Sequence, residues 1–167
     1  FAYDTPVDSS DKADPNIILK EIKKTLKKAN EKKFVIISSQ LPIGTTKKLE
    51  DYCKKVLKKK FYFFYCPENL RLGKALDSFM NSERLIIGYR EDKAKTEVHD
   101  FFSSISNNLL WMKIESAEMT KHAINSFLAN SISFINEIAT ISEHTNADAK
   151  EVEEGLKSEP RIGRKAF

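Results

Sequence analysis

The sequence predicts an α/β protein in which helices cover both faces of a parallel sheet, followed by a long apolar helix. Short apolar runs alternate with amphipathic helical patterns over residues 1–114. The runs are unbroken, as is typical of strands buried on both faces. From about Glu115 the strand pattern stops, and a single helical pattern continues to about Thr145. We therefore place a domain boundary near Ile114.

The individual elements follow from local signals. Phe1-Ala2-Tyr3 has the composition of a strand end, and Asp14-Pro15-Asn16 has that of a helix start. Further helices are expected from Thr45, around residues 93–104, and after Asn146-Ala147-Asp148. The remaining strands are expected at Phe34–Ile37, 61–65, 84–88 and 109–112.

Composition narrows the class of protein. The net charge of +4 comes from lysine pairs at helical spacing, which are typical of solvated helix faces, and no aromatic residues interleave with them. We therefore expect no nucleic-acid partner. No apolar run is long enough to span a bilayer, so no membrane partner is expected either. Cys53 and Cys66 form no metal-ligand spacing, and we expect no metal and a reduced, cytoplasmic setting.

Three loops follow predicted strands, at the edge where open parallel sheets bind ligands. The first is Asp4-Thr5-Pro6. The second, residues 38–46, is rich in small hydroxyl residues and leads into a helix; it is consistent with both anion binding and plain capping. The third, residues 66–75, carries Glu68 after a Pro. Glu68 is consistent with a general base and equally with a capping residue.

Lys121 and Asn125 lie four residues apart on the long helix and share one face. Such a pair can hold an oxygen that develops negative charge, or it can be a solvated surface pair. The sequence contains no Gly-x-Gly-x-x-Gly. If the sheet belongs to a dinucleotide fold, we expect its phosphate-binding half upstream of Phe1.

Six motifs occur in order along the chain: Asp4-Thr5-Pro6, Leu41-Pro42-Ile43-Gly44-Thr45-Thr46, Pro67-Glu68-Asn69-Leu70-Arg71-Leu72-Gly73, Ala117-Glu118-Met119 with Lys121 and Asn125, Ile132-Ser133-Phe134-Ile135-Asn136-Glu137-Ile138, and Arg161-Ile162-Gly163. Together they resemble the UDP-glucose/GDP-mannose dehydrogenase family over essentially the whole chain. The resemblance implies an internal fragment. Residues 1–114 would be the C-terminal half of a Rossmann-like NAD-binding domain, without its glycine-rich first half. Residues 115–167 would be a long central helix and the start of an all-α dimerisation domain.

The resemblance also implies a chemistry. Enzymes of this family oxidise the C6 alcohol of a nucleotide sugar to a carboxylate, in two hydride transfers to NAD, and supply polysaccharide biosynthesis. A cysteine thiolate captures the intermediate aldehyde, and water hydrolyses the thioester that results. Glu68 matches the general base of that hydrolysis, and Lys121 and Asn125 match the pair that steadies the oxyanion. The isolated fragment is expected to be inactive.

Binding residues are implied in the same way. Thr5 and Gln40 are expected beside the cofactor, and Asn69, Leu70 and Arg71 along the nucleotide sugar. Gln40 stands where the family commonly has a threonine that orders a catalytic water. The nucleophilic cysteine is expected beyond the last residue of the chain, because Cys53 fits a helix core and Cys66 lies where the family places no nucleophile.

Two alternatives remain open at this point. The β-hydroxyacid dehydrogenases also place a lysine and an asparagine four residues apart, but they lack a Pro-Glu-x-Leu-Arg loop. A non-catalytic helical dimerisation module would explain why both the glycine fingerprint and the nucleophile are missing here. In the intact enzyme, the apolar face with Ile124, Phe127, Ile135, Ile138 and Ile141 is expected to pair two subunits as a homodimer.

Overall fold

The computed structural model describes residues 1–10, 14–68, 73 and 83–163. These residues form two compact units, Phe1–Lys121 and a second that begins at His122. Each unit is described by itself. The boundary at 114/115 that the sequence suggests stays a prediction, since the long helix begins in the first unit and continues into the second.

The first unit alternates helices with short strands. Its elements, in chain order, are α1 (Pro15–Lys28), β1 (Phe34–Ile37), α2 (Thr45–Tyr52), β2 (Tyr62–Tyr65), β3 (Leu85–Tyr89), α3 (Asp92–Ser103), β4 (Leu109–Lys113) and the start of α4 (Ile114–Thr145). A π-helical turn, Cys53–Leu57, extends α2. Asp14 caps α1 by accepting a hydrogen bond from the Asn16 amide at 2.9 Å, which confirms the predicted helix start.

The four strands form one sheet in the order β1-β2-β3-β4. Strands β1 and β2 are parallel, and so are β3 and β4. Strand β2 pairs antiparallel with β3 through Tyr65 and Gly88, so the expectation of an entirely parallel sheet is wrong at this pair. A strand buried on both faces has the same apolar pattern in either direction, so the sequence carried no signal for this reversal.

The first three residues lie beside β1, as the predicted strand end requires. The Phe1 nitrogen donates to the Ile36 carbonyl at 2.7 Å, and the Ser38 amide donates back to the Phe1 carbonyl at 2.7 Å. This pattern is that of parallel pairing. Phe1-Ala2-Tyr3, β1 and β2 therefore all end at one edge of the sheet, which we call the carboxyl edge.

Apolar side chains pack on both faces of the sheet. Ile18, Ile22 and Leu26 of α1 are buried, and a second cluster joins the sheet to the inward face of α3 through Phe64, Ile87 and Phe102. The α/β class predicted from the sequence is confirmed.

Gly88 sets how closely α4 approaches the sheet. A Cβ atom on Gly88 would lie 2.7 Å from the Ile114 Cα and 3.0 Å from the Ala117 Cβ. No side chain fits there, because such distances are far inside van der Waals contact. The first turn of α4 therefore lies directly on the backbone of β3.

The second unit contains the rest of α4 and one further helix, α5 (Ala149–Ser158). Asp148 caps α5 by accepting hydrogen bonds from the Lys150 and Glu151 amides, as the sequence predicts. Several large apolar residues of α4 are nevertheless exposed in the single chain: Phe127, Leu128, Ile132, Phe134 and Ile141.

Candidate active site

Thr5 and Gln40 meet at the carboxyl edge. The Thr5 hydroxyl donates to the Gln40 backbone carbonyl at 2.8 Å, and the nearby Ser39 hydroxyl accepts from the Tyr3 amide at 2.7 Å. Gln40 is exposed and Thr5 is partly exposed. The structure thus brings together the two residues that the sequence assigned to the cofactor.

Glu68 and Lys121 also meet at this edge. Glu68 follows the end of β2, while Lys121 projects from the second turn of α4. The Lys121 Nζ donates to the Glu68 backbone carbonyl at 2.7 Å. Burial lowers the pKa of Lys121, and the negative charge of Glu68 acts in the opposite direction.

This arrangement can stabilise negative charge. The Lys121 ammonium is partly buried and lies against a neutral carbonyl. An ammonium donates well to an oxygen that becomes anionic, and partial burial makes such an interaction stronger than it is in water. The Glu68 carboxylate belongs to the same loop and provides a group that accepts protons.

The other predicted site residues are less well defined. Asn125 lies four residues beyond Lys121 on the same helix, in the second unit, and its side chain is exposed. Its pairing with Lys121 stays a prediction. Asn69, Leu70 and Arg71, predicted to bind the nucleotide sugar, lie outside the described residues.

The sequence did not single out Glu118, which is completely buried (0% exposed). Its carboxylate accepts hydrogen bonds from the Gly44 amide at 2.6 Å, the Thr46 amide at 3.1 Å and the Thr46 hydroxyl at 2.7 Å. The amides that the sequence offered to an external anion are therefore used by a carboxylate of the protein itself. The only mark of Glu118 in the sequence is its place in the Ala117-Glu118-Met119 motif, three positions before Lys121.

Neither cysteine has the properties of a nucleophile. Cys53 is buried in the core, and Cys66 is partly buried at the end of β2. Burial raises the pKa of each thiol to about 11, which favours the unreactive protonated form. This agrees with the core position expected for Cys53.

A cavity of about 570 Å³ lies at the opposite edge of the sheet, where β2 begins. Its lining is rich in lysine, but much of that charge is already engaged. Lys59 donates to the Lys27 and Ala29 carbonyls, and Lys60 pairs with Glu91 at 3.1 Å. We therefore place the candidate active site at the carboxyl edge and not in this cavity.

The described residues contain neither a metal site nor a membrane-spanning helix. No cluster of His, Cys, Asp or Glu there could hold a metal ion. Among the same residues, no helix is long and apolar enough to cross a membrane.

Open α/β sheets bind ligands, dinucleotides among them, outside the carboxyl ends of their strands, which is where Lys121 and the Glu68 loop meet. Comparison with known proteins specifies the class. Residues 1–106 match the NAD binding domain of the UDP-glucose/GDP-mannose dehydrogenase family, and residues 115–167 match its central domain. The chain belongs to this family, and NAD is the cofactor of its first domain.

Individual relatives agree with this assignment. The UDP-glucose 6-dehydrogenase TuaD of Bacillus subtilis is 36% identical over 167 residues, which cover 99% of this chain and 36% of TuaD. The UDP-glucose 6-dehydrogenase of Pseudomonas aeruginosa is 31% identical over an alignment of 171 residues including gaps, which covers 98% of this chain and 38% of the relative. This chain therefore spans well under half the length of these relatives.

Solved structures give the same fold. The UDP-glucose dehydrogenase of the archaeon Pyrobaculum islandicum superposes with a TM-score of 0.86 at 29% identity, over 99% of this chain and 40% of that one. The UDP-D-ManNAc dehydrogenase of Pyrococcus horikoshii also gives 0.86, at 23% identity, over 97% of this chain and 40% of that one. At 23% identity, the likeness to the Pyrococcus horikoshii enzyme shows the fold alone.

Proposed function

We propose that this chain is part of a longer, cytoplasmic NAD-dependent dehydrogenase. The enzyme oxidises the C6 alcohol of a UDP-sugar, either UDP-glucose or a UDP-N-acetylhexosamine, to the uronic acid in two hydride transfers. One observation carries the proposal: the Lys121 ammonium contacts the Glu68 carbonyl, so a cation and a carboxylate-bearing loop share the carboxyl edge. Family membership and relatives named UDP-glucose 6-dehydrogenase support the class of reaction.

The first group at work is the Lys121 ammonium. When bound, NAD accepts the hydride that leaves C6. The alcohol proton passes to solvent water as the hydride leaves, so the oxygen becomes more negative and Lys121 donates to it. Asn125, one turn further along α4, adds a donor without charge. Donors that are held in place before a reaction begins need no reorganisation as charge develops.

Glu68 acts in the second half of the reaction. A cysteine, which we place beyond Phe167, adds to the aldehyde as a thiohemiacetal. Transfer of the second hydride to NAD and loss of the hydroxyl proton to water leave a thioester, which a second water molecule attacks. The Glu68 carboxylate removes a proton from the attacking water. Lys121 stabilises the oxyanion that the attack creates, so one cation serves both steps.

The residues at the carboxyl edge fit part of a dinucleotide site. The exposed Gln40 and the partly exposed Thr5 provide polar groups where such sheets bind cofactors. The α2 amides of Gly44 and Thr46 are engaged by Glu118, so they do not hold the pyrophosphate. We assign the pyrophosphate to a glycine-rich segment upstream of Phe1, and the nucleotide sugar to Asn69, Leu70 and Arg71.

We also propose a homodimer formed through α4. Phe127 is 68% exposed and Ile141 is 56% exposed, although both belong to the face predicted to pair two subunits. Ile124, Ile135 and Ile138 of that face are only partly exposed within the single chain. The exposed part of the face supports pairing, because large apolar side chains left in water are costly.

The test is NADH formation by the full-length enzyme with two panels of substrates. The first contains UDP-glucose, UDP-N-acetylhexosamines and GDP-mannose, and the second contains β-hydroxyacids. We expect two NADH per sugar oxidised with one of the UDP-sugars, and none from the isolated 167-residue chain. Turnover of a β-hydroxyacid instead would favour the β-hydroxyacid dehydrogenases. No turnover on either panel would favour a non-catalytic dimerisation module.

A further inference from the structure

We infer that Glu118 is a positioning residue of the site: it fixes the Gln40 loop and Lys121 in place relative to each other. We define the Gln40 loop as residues 38–46. The kinetic consequence of this inference rests on the proposed function, whereas the structural consequence does not.

The surroundings of Glu118 are those of an anchor. A carboxylate that is 0% exposed is costly to bury unless its lone pairs are satisfied. Glu118 uses one oxygen for the Gly44 amide and the other for the amide and hydroxyl of Thr46. Both oxygens therefore hold the Gln40 loop at the point where α2 begins.

Helix α2 depends on this contact because its own sequence supplies no side-chain cap. The N-cap position is Gly44, which has φ +82° and no side chain to accept the first amides. Four amides at a helix start lack partners within the helix. Glu118 accepts from this end of α2, where the helix dipole also favours a negative charge.

The anchor acts on Gln40 through a short, stiff connection. Only three residues separate Gln40 from Gly44; Leu41 is buried in the core and Pro42 has a fixed φ. The far end of this segment is held where the Thr5 hydroxyl donates to the Gln40 carbonyl. A displacement at Gly44 is therefore passed to the residue expected beside the cofactor.

On the other side, Glu118 is joined to Lys121 by one turn of α4. Residues three apart on a helix are neighbours on its surface. Lys121 holds the Glu68 carbonyl while Glu118 holds the Gln40 loop. A single helical turn thus ties the two loops at the carboxyl edge together.

The decisive variant is Glu118→Gln in the full-length enzyme. A glutamine keeps the size of the side chain, but its NH₂ group faces amide donors where the carboxylate accepted hydrogen bonds. We expect the Gln40 loop to shift, the KM for NAD to rise and kcat/KM to fall about tenfold to a hundredfold, as small misplacements do in catalysis. Assays are made below the unfolding transition of both proteins, so that a purely structural loss of stability leaves kcat/KM unchanged.

Glu115→Gln is the matched control. Glu115 lies one turn before Glu118 and also links α4 to α2, because Arg90 donates to both Glu115 and Glu50. This link is partly exposed and does not reach the Gln40 loop, so its loss should leave kcat/KM within about twofold of wild type. Thr46→Val, which removes one donor to Glu118, should cause part of the loss and add nothing in the double variant with Glu118→Gln.

Amide hydrogen exchange separates this inference from the proposed function. In Glu118→Gln, exchange should accelerate in residues 41–47 and also in residues 63–68, whether or not the enzyme turns over a UDP-sugar. If wild type is active and Glu118→Gln lowers only the melting temperature, Glu118 is merely structural. Unchanged exchange in residues 63–68 overturns the coupling of the two loops. If wild type is inactive, the proposed function fails and the exchange result alone decides the inference.

Discussion

Lys121 and Glu68 are joined through the backbone: the Lys121 Nζ donates to the Glu68 carbonyl oxygen at 2.7 Å. The contact leaves the Glu68 side chain available for chemistry while tying its loop to α4. Any variant that removes the ammonium therefore removes a charge and a loop anchor together.

Lys121→Met should lower kcat by about a hundred- to a thousandfold, the usual cost of removing one donor to a developing oxyanion. Methionine keeps much of the apolar stem, so the helix should remain folded. The measurement is NADH formation by the full-length enzyme at saturating UDP-sugar. Lys113→Met, at an exposed lysine that ends β4, is the control and should keep wild-type activity. A loss of less than about fivefold for Lys121→Met would exclude Lys121 from oxyanion stabilisation.

Glu68→Gln should permit aldehyde capture but slow thioester hydrolysis, because glutamine cannot accept a proton. A covalent sugar–enzyme adduct should then accumulate and be visible in the intact mass. Glu97→Gln, on the exposed side of α3, should give no adduct. Wild-type turnover without an adduct would mean that Glu68 serves only to shape its loop.

The pH profile should report the lowered pKa of Lys121. Burial disfavours the ammonium, so Lys121 loses its proton at a lower pH than an exposed lysine does. Because the charged form is the active one, kcat should fall on the alkaline side below the ordinary range of a lysine. In Lys121→Arg the guanidinium stays charged, so this decline should move to higher pH even if the rate is lower. An identical alkaline decline in both proteins would assign it to another group.

Gly88→Ala should destabilise the protein by about 1–3 kcal/mol, as overpacking does elsewhere. The added methyl would meet the Ile114 Cα at 2.7 Å, and backbone cannot move aside as a flexible side chain can. Gly155→Ala is the matched control, since open space surrounds Gly155 within α5 and alanine should stabilise that helix by up to about 1 kcal/mol. Denaturant unfolding of both variants measures the difference; equal stabilities would show that α4 does not rest on Gly88.

Phe127→Asp should dissociate the proposed dimer. Phe127 is 68% exposed in the single chain, and the dimer would bury it, so an aspartate there would place an unpaired charge in the interface. Sedimentation of the full-length enzyme should then show a monomer. Ser126→Asp adds the same charge at the neighbouring exposed position, on a different side of the helix, and should remain dimeric. If wild type is already monomeric at micromolar concentration, α4 does not pair subunits.

The fold was largely predictable from the sequence. Strands such as Phe34–Ile37 are indicated by unbroken apolar runs, although Phe34 is exposed in the structure. Asp14 and Asp148 mark helix starts because their side chains are suited to capping. The direction of β3 was not predictable, because a strand buried on both faces has the same apolar sequence pattern whether it runs parallel or antiparallel to its neighbour. It depends on pairing across the sheet, which is a property of the whole chain.

The site was predictable only in part. Glu68 and Lys121 were found from motif resemblance, and the structure places them in contact through the Glu68 backbone. Glu118 was missed because a single acid in a helix is usually solvated, and its partners Gly44 and Thr46 lie more than 70 positions away. Long-range polar contacts of this kind become visible only once the chain is folded.

The antiparallel pairing of β2 with β3 determines where the side chains of α4 lie relative to the carboxyl edge. Since β4 runs against β1 and β2, it ends at the edge opposite Glu68, and α4 must travel back across the sheet. No residue connects β4 to α4, because the strand ends at Lys113 and the helix begins at Ile114. From Ile114 to Lys121 the helix rises about 10 Å, close to the length of a four-residue strand. The direct junction of β4 and α4 therefore sets the position of Lys121. One residue inserted there would turn Lys121 by about 100° around the helix and away from the Glu68 carbonyl.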